Sequence, residues 1–177
     1  MEPIKRLNRE LRAQGTVIEL YKDTVEVNGH IAEWDFIHHD GAAAVVAVNE
    51  DGKLMMVRQY RNALDRFTLE LPAGKLDEPD EPTLECAMRE LEEETGYKSD
   101  HFEYLLTVNT TVAFCNEKID IYLATDLEKS AQNLDEDEEI NVELWDIEDL
   151  KQMIYEGKIT DGKTVAGIMT YAMKYGR

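Results

Sequence analysis

Glu90, Glu93 and Glu94 stand at i, i+3 and i+4 within Arg89-Glu90-Leu91-Glu92-Glu93-Glu94-Thr95-Gly96-Tyr97, so on a helix their carboxylates share one side. Like charges at that spacing repel by a few tenths of a kcal/mol per pair, ~0.2–0.5 in isolated helices, which a cation between them would relieve. Hard divalent ions such as Mg2+ take oxygen ligands, commonly one or two carboxylates completed by water and substrate phosphate. The competing reading is a solvated acidic helix face. Ordinary carboxylate pKa values leave all three groups ionised at pH 7. A second acidic run, Asp135-Glu136-Asp137-Glu138-Glu139, lies some forty residues downstream. Residues 77–94 and 135–149 hold nine carboxylates each, about half of the 38 in the chain. Two such clusters either face one site or solubilise the surface.

The elements that must position these groups alternate along the chain without a linker or a repeat. Leu84, Ala87, Met88, Leu91 and Thr95 recur at helical spacing and predict a buried stripe on a helix over 82–95, with the three carboxylates flanking it. Further helices are expected over 147–156 and 163–174. The first of these has Asp146 as N-cap, Asp149 at the capping-box position and Gly157 as its stop. Strands are expected at 16–21 and 24–27, forming a hairpin around Lys22-Asp23, then at 31–37, 54–57, 67–71, 103–112 and 119–124. Residues 42–48 are continuously small or apolar, as a strand buried on both faces requires. The result is a mixed α/β chain with helices on both faces of a sheet.

At 177 residues the chain fits one domain. Its net charge of −19 argues against nucleic acid or an anionic membrane as partner. No segment has the length or apolarity of a membrane span or a signal peptide, so a cytoplasmic location is expected. Cys86 and Cys115 form no CxxC pair and stand in apolar contexts, which predicts reduced, buried thiols.

The run from Glu81 through Arg89-Glu90-Leu91-Glu92-Glu93-Glu94-Thr95-Gly96-Tyr97 resembles the signature box of the Nudix hydrolases position for position. One departure stands out: six residues rather than five separate Gly74 from Glu81, in a loop where an insertion costs little. The resemblance implies a Nudix α/β/α sandwich with a mixed sheet. Residues 1–40 would form an antiparallel N-terminal β extension that makes dimers, and 41–177 the Nudix domain. Glu90, Glu93 and Glu94, with the carbonyl of Ala73, would then hold Mg2+, with Mn2+ as the alternative ion. Arg89, four residues before Glu93, would orient that carboxylate.

Outside the box the chain resembles the ADP-ribose pyrophosphatases of that family. Leu69-Glu70-Leu71-Pro72-Ala73-Gly74 is similar to their entry into the site, which places Glu70 with the substrate-binding residues, and Val57-Arg58-Gln59-Tyr60-Arg61 to the segment whose last Arg contacts pyrophosphate. Planar guanidinium suits bidentate phosphate recognition. The acidic run is similar to the loop whose Glu handles the attacking water, which selects Glu138 or Glu136. Trp34 and Asp35 resemble a pair that stacks on and hydrogen-bonds adenine across a homodimer with exchanged N-terminal strands; a core Trp is the competing reading. Where relatives have Pro-Gly, this chain has Val112-Ala113 before Phe114-Cys115-Asn116-Glu117. The resemblance implies hydrolysis of ADP-ribose or a similar nucleoside diphosphate sugar to AMP and ribose 5-phosphate. A Nudix hydrolase for GDP-mannose or NADH, and a non-catalytic ADP-ribose sensor, are the alternatives.

Overall fold

A computed structural model of the chain describes residues 4–134 and 138–176. Three antiparallel strands come first: β1 (Lys5–Gln14), β2 (Glu19–Val27) and β3 (His30–His38). They form their own sheet, joined to the rest where Ile37 N donates to Phe114 O and Asn116 N to Ile37 O. The hairpin expected around Lys22-Asp23 is instead one continuous strand. The turn falls at Asn28-Gly29, both at positive φ, the residue pair a tight two-residue hairpin favours. β1 carries Lys5, Arg6, Arg9, Glu10 and Arg12 with no apolar alternation, so periodicity does not reveal it. It is held by cross-strand pairing, above all Arg9 opposite Asp23: the guanidinium donates to both carboxylate oxygens at 2.6 Å and lies 3.5 Å from the centre of the Phe36 ring. Leu7, Leu11, Ile31 and Trp34 on this sheet remain exposed.

The main sheet is built around β4 (Ala42–Val48), which is buried at every residue. Its order is β12 (Ile140–Trp145), β5 (Leu54–Arg61), β4, β10 (Lys118–Thr125), β9 (His101–Asn109), with β6 (Arg66–Glu70) paired to β5 and β7 (Ala73–Lys75) to β4. Only the β4–β10 pair among these is parallel, so the sheet is mixed. Short strands β8 (Tyr97–Lys98) and β11 (Glu128–Lys129) pair separately.

Alternate residues of β4 feed two cores. Ala42, Ala44, Val46 and Val48 pack with Leu150 of α2 (Ile147–Tyr155) and with Ile168 and Tyr171 of α3 (Gly162–Tyr175). Ala43, Val45 and Ala47 pack with Cys86, Ala87 and Leu91 of α1 (Thr83–Thr95). The period-2 alternation of the strand thus yields an α/β/α sandwich. On α3, a Cβ at Gly167 would sit 2.6 Å from Leu71 Cδ1, so the glycine lets the helix lie directly on the sheet.

Two local expectations are corrected. On α1 the buried face is Cys86, Ala87, Leu91, Glu94 and Thr95, whereas Leu84 and Met88 are exposed. The helix is rotated so that Glu94 itself is buried. Asp146 precedes α2 but its side chain makes no cap bond; it accepts from Lys53 Nζ at 3.0 Å. No helix is long and apolar enough to cross a membrane among the described residues. Cys86 is buried and Cys115 only half-buried, and both are free thiols.

Candidate active site

The site is assembled where the β7 loop crosses α1. Strand pairing of Ala42, Ala43 and Ala44 with Lys75, Gly74 and Ala73 lays the loop backbone over the helix. Ala73 N then donates to Glu94 Oε2 at 2.8 Å, and Cys86 Sγ lies within 3.6 Å of Gly74 O and 3.4 Å of Lys75 O. A Cβ on Gly74 would fall 2.1 Å from Glu90 Oε1, so the absent side chain is the space that Glu90 fills. Gly74 is not among the positive-φ residues, and its requirement is steric.

Arg89 ties the acidic groups together. Its Nη1 donates to Glu90 Oε1 at 2.6 Å and to Glu93 Oε2 at 3.1 Å, and its Nε and Nη2 reach Glu81 at 3.3 Å. Glu81 also accepts from Asp77 N at 2.8 Å, pinning the longer loop to the helix. Glu93 is the most open of the box carboxylates that Arg89 holds, at 38% exposure.

At its C-terminal end α1 stops at Gly96, whose φ of 70° turns the chain left-handed. The stretch leading to the second acidic run is stitched to this end. Ser130 N donates to Gly96 O, Asn133 N to Glu93 O and Gln132 Nε2 to Glu94 O, at 2.6–3.0 Å. Glu138 stands close enough for its charge to act on both Glu90 and Glu94. Glu136 lies outside the described residues.

These neighbours change the protonation of the buried pair. Burial, helped by the charges of Glu93 and Glu138, pushes Glu90 up to about 7 in spite of Arg89. Burial, then the charges of Glu90 and Glu138, pushes Glu94 up to about 8 against the Ala73 hydrogen bond and the pull of Lys163. The ordinary values expected from sequence therefore do not hold, because α1 turns Glu94 inward to 3% exposure. Among the described residues no three His, Cys, Asp or Glu side chains converge into a closed metal-holding group. Buried carboxylates in mutual repulsion are nonetheless a donor set suited to a hard divalent ion that fills its remaining positions with water and phosphate.

Beside them opens a cleft of about 620 Å³, lined among others by Ala73, Gly74, Arg61, Lys163, Thr110 and Glu117. Arg61 is the last residue of β5. Its Nε and Nη2 donate to Glu70 Oε1 and Oε2 at 2.8 and 2.7 Å, leaving Nη1 without a partner among the described residues. Glu70 is 2% exposed and also accepts from Thr68 Oγ1 at 2.6 Å and from Lys163 Nζ. It thus lies behind Arg61 rather than on the cleft. Sequence reasoning missed Lys163, Asp161 and Thr68. The signal was Asp161-Gly162-Lys163-Thr164 at the start of a predicted apolar helix, where Asp161 caps through Thr164 N at 3.0 Å.

Trp34 and Asp35 are not brought to this cleft within one chain. They line a separate hollow of about 570 Å³ with Leu20, Glu33, Ile37, Ala113 and Phe114, where Trp34 is 45% exposed.

A family model described as NUDIX domain matches residues 38–166. The chain is 38% identical over 167 residues to the methanol dehydrogenase activator of Bacillus methanolicus, covering 93% of this chain and 90% of that one. It is 36% identical over 173 residues to the ADP-ribose pyrophosphatase of Bacillus subtilis (strain 168), covering 96% and 93%. A solved structure titled as an ADP compounds hydrolase superposes with a TM-score of 0.86 over 100% of this chain and 98% of its own; at 21% identity that likeness speaks for the fold alone. The box, the sandwich that presents it and these matches together place the chain in the Nudix hydrolase family.

Proposed function

We propose that the protein hydrolyses the pyrophosphate bond of ADP-ribose, or of a closely similar nucleoside diphosphate sugar, to AMP and ribose 5-phosphate. The observation that carries the reading is one cleft lined by Ala73, Gly74 and Arg61, with half-buried Glu90 set against Gly74 and buried Glu94 accepting from Ala73 N. The naming of a relative 36% identical along nearly the whole chain as an ADP-ribose pyrophosphatase supports the substrate.

In this reading Glu90, Glu94 and Glu93, with the Ala73 carbonyl, hold Mg2+ or Mn2+. When bound, the ion supplies a Lewis acid for the pyrophosphate and lowers the pKa of a bound water. Arg61 offers Nη1, which has no partner among the described residues, to the phosphoryl oxygens, where charge grows in the transition state. Arg89 keeps Glu90 and Glu93 in place. Glu138 or Glu136 takes the proton of the attacking water; Glu138 is already coupled to the box. Trp34 and Asp35 receive the adenine end. Their separation from the cleft in one chain, with Leu7, Leu11 and Ile31 exposed on the same sheet, supports a homodimer in which residues 1–40 cross to the partner's Nudix domain. Light scattering should then give twice the chain mass of 20.3 kDa, and a monomer at micromolar concentration refutes that assembly.

A panel of nucleoside diphosphate sugars with Mg2+, read as phosphate released by a coupled phosphatase, tests the reaction. ADP-ribose should give the highest kcat/KM, with AMP as product. Val112-Ala113, where relatives have Pro-Gly, favours a second reading, in which the same chemistry serves GDP-mannose or NADH. A tenfold preference for either of these over ADP-ribose would select it.

A further inference from the structure

Arg61 reaches the cleft on a long, flexible stem, and what holds it still is a chain of contacts running back to α3. Its fork pairs with Glu70, whose carboxylate would by itself be free to turn about a broad terminal torsion. Two other donors remove that freedom. Thr68 Oγ1 holds Oε1 at 2.6 Å, and Lys163 Nζ holds Oε2. Lys163 is fixed in turn by Asp161 Oδ2 at 3.0 Å, and Asp161 by Thr164 N at 3.0 Å and Thr164 Oγ1 at 2.6 Å. Thr164 Oγ1 also accepts from Leu71 N at 3.0 Å, so the first turn of α3 is anchored to the strand end beside Glu70.

The charges make the same point. Arg61 and Lys163 carry two positive charges, Glu70 and Asp161 two negative ones, and all four line or underlie one wall of the cleft. Without Lys163 the group would be net negative beside the place where a dianionic diphosphate must sit. Lys163 is itself 9% exposed with its ammonium already engaged, which leaves it little to offer a substrate directly.

We infer that Lys163 is a positioning residue for Arg61: it clamps Glu70 from behind and so aims the free edge of the guanidinium into the cleft. This deepens the proposed pyrophosphate chemistry and rests on it.

A double-mutant cycle on the full chain tests the inference, using wild type, Lys163→Met, Arg61→Ala and the double variant. Two readouts are needed: kcat and KM for ADP-ribose, and the Kd of inorganic pyrophosphate by calorimetry. Lys163→Met should weaken pyrophosphate binding and raise KM about tenfold, within the range seen for members of one ion-pair network. In the Arg61→Ala background the same change should cost less than about twofold. Equal losses in both backgrounds overturn the inference, because Lys163 would then act without Arg61. Should Lys163→Met fail to fold, Glu70→Gln/Lys163→Met removes the stranded charge and should fold with the same loss of binding. Failure of that variant to fold, or its normal binding, also overturns it. A wild type that binds pyrophosphate but leaves ADP-ribose intact refutes the proposed reaction, and the binding arms then decide the role of Lys163 on their own.

Discussion

Gly74→Ala separates the demands of folding from those of chemistry. The backbone at Gly74 suits any L residue, so alanine adds no dihedral strain. The added methyl, however, would meet Glu90 Oε1 at 2.1 Å, Cδ at 2.2 Å and Oε2 at 2.5 Å. The carboxylate must retreat by about 1.3 Å, from 2.1 Å to the 3.4 Å at which contact becomes ordinary. It is the far end of a flexible side chain, so the retreat costs about 0.5–1.5 kcal/mol of rotamer strain. A displacement of roughly 1 Å at a reacting centre can cost a hundredfold in rate. The variant should therefore lose about two decades of kcat for ADP-ribose while its unfolding free energy falls by no more than ~1.5 kcal/mol. Urea unfolding followed by circular dichroism, beside initial rates at saturating Mg2+, measures both. A rate within threefold of wild type would show that the seat of Glu90 does not matter to catalysis. A loss of several kcal/mol would show that the loop, not the carboxylate, gives way.

Glu94→Gln should lower kcat by orders of magnitude without loss of stability at pH 7, since burial pushes the Glu94 pKa up to about 8, so the side chain is mostly neutral there already, and the amide keeps an acceptor for Ala73 N; thermal melts and turnover check both halves. Glu138→Gln should cost kcat at least about a hundredfold with KM unchanged, whereas Glu139→Gln should change the rate less than about twofold. Near-wild-type rates for Gln at 136, 138 and 139 alike would move the base to Glu93. Glu70 has a depressed pKa, about 2 against an ordinary 4.5: burial works to raise it, but the Arg61 bonds and Lys163 prevail. The stability this confers is complete above the unfolded value near 4.5 and is lost as pH falls toward about 2. Between pH 7 and pH 3 it amounts to about 2 kcal/mol, so Glu70→Gln should flatten the acid limb of a urea-denaturation series by that much.

The helices and β4 are legible from sequence because each is written in a single pattern, 3.6-residue periodicity or an unbroken apolar run. The rotation of α1 is not. Leu84 and Met88 look like core at helical spacing, yet Cys86 and Glu94 take those places because β7 crosses that side of the helix. A helix's phase is set by what packs on it, and β7 is three residues long with no pattern of its own. β1 is hidden for a related reason: its charged residues pair across strands instead of filling a core. The hairpin turn was readable at Asn28-Gly29, but the polar Lys22-Asp23 step imitates a turn inside a strand whose Asp23 is buried against Arg9. At the site, the box residues announce themselves by spacing. The support behind Arg61 does not, since Glu70 and Lys163 lie 93 residues apart and meet only through the packing of α3 on the sheet.

Cys86 gives the protein a reporter of its own opening. Its sulfur sits under the Gly74–Lys75 backbone, fully buried, and burial raises its thiol pKa to about 12. A thiol-reactive dye cannot reach it, nor find it as thiolate, until the loop lifts from α1. The labelling rate of Cys86, corrected for the half-exposed Cys115, is therefore a clock for the loop on which the cleft depends. If labelling stops rising with dye concentration, the plateau is the opening rate itself, and a substrate that pins the loop down will slow the clock without touching the cysteine.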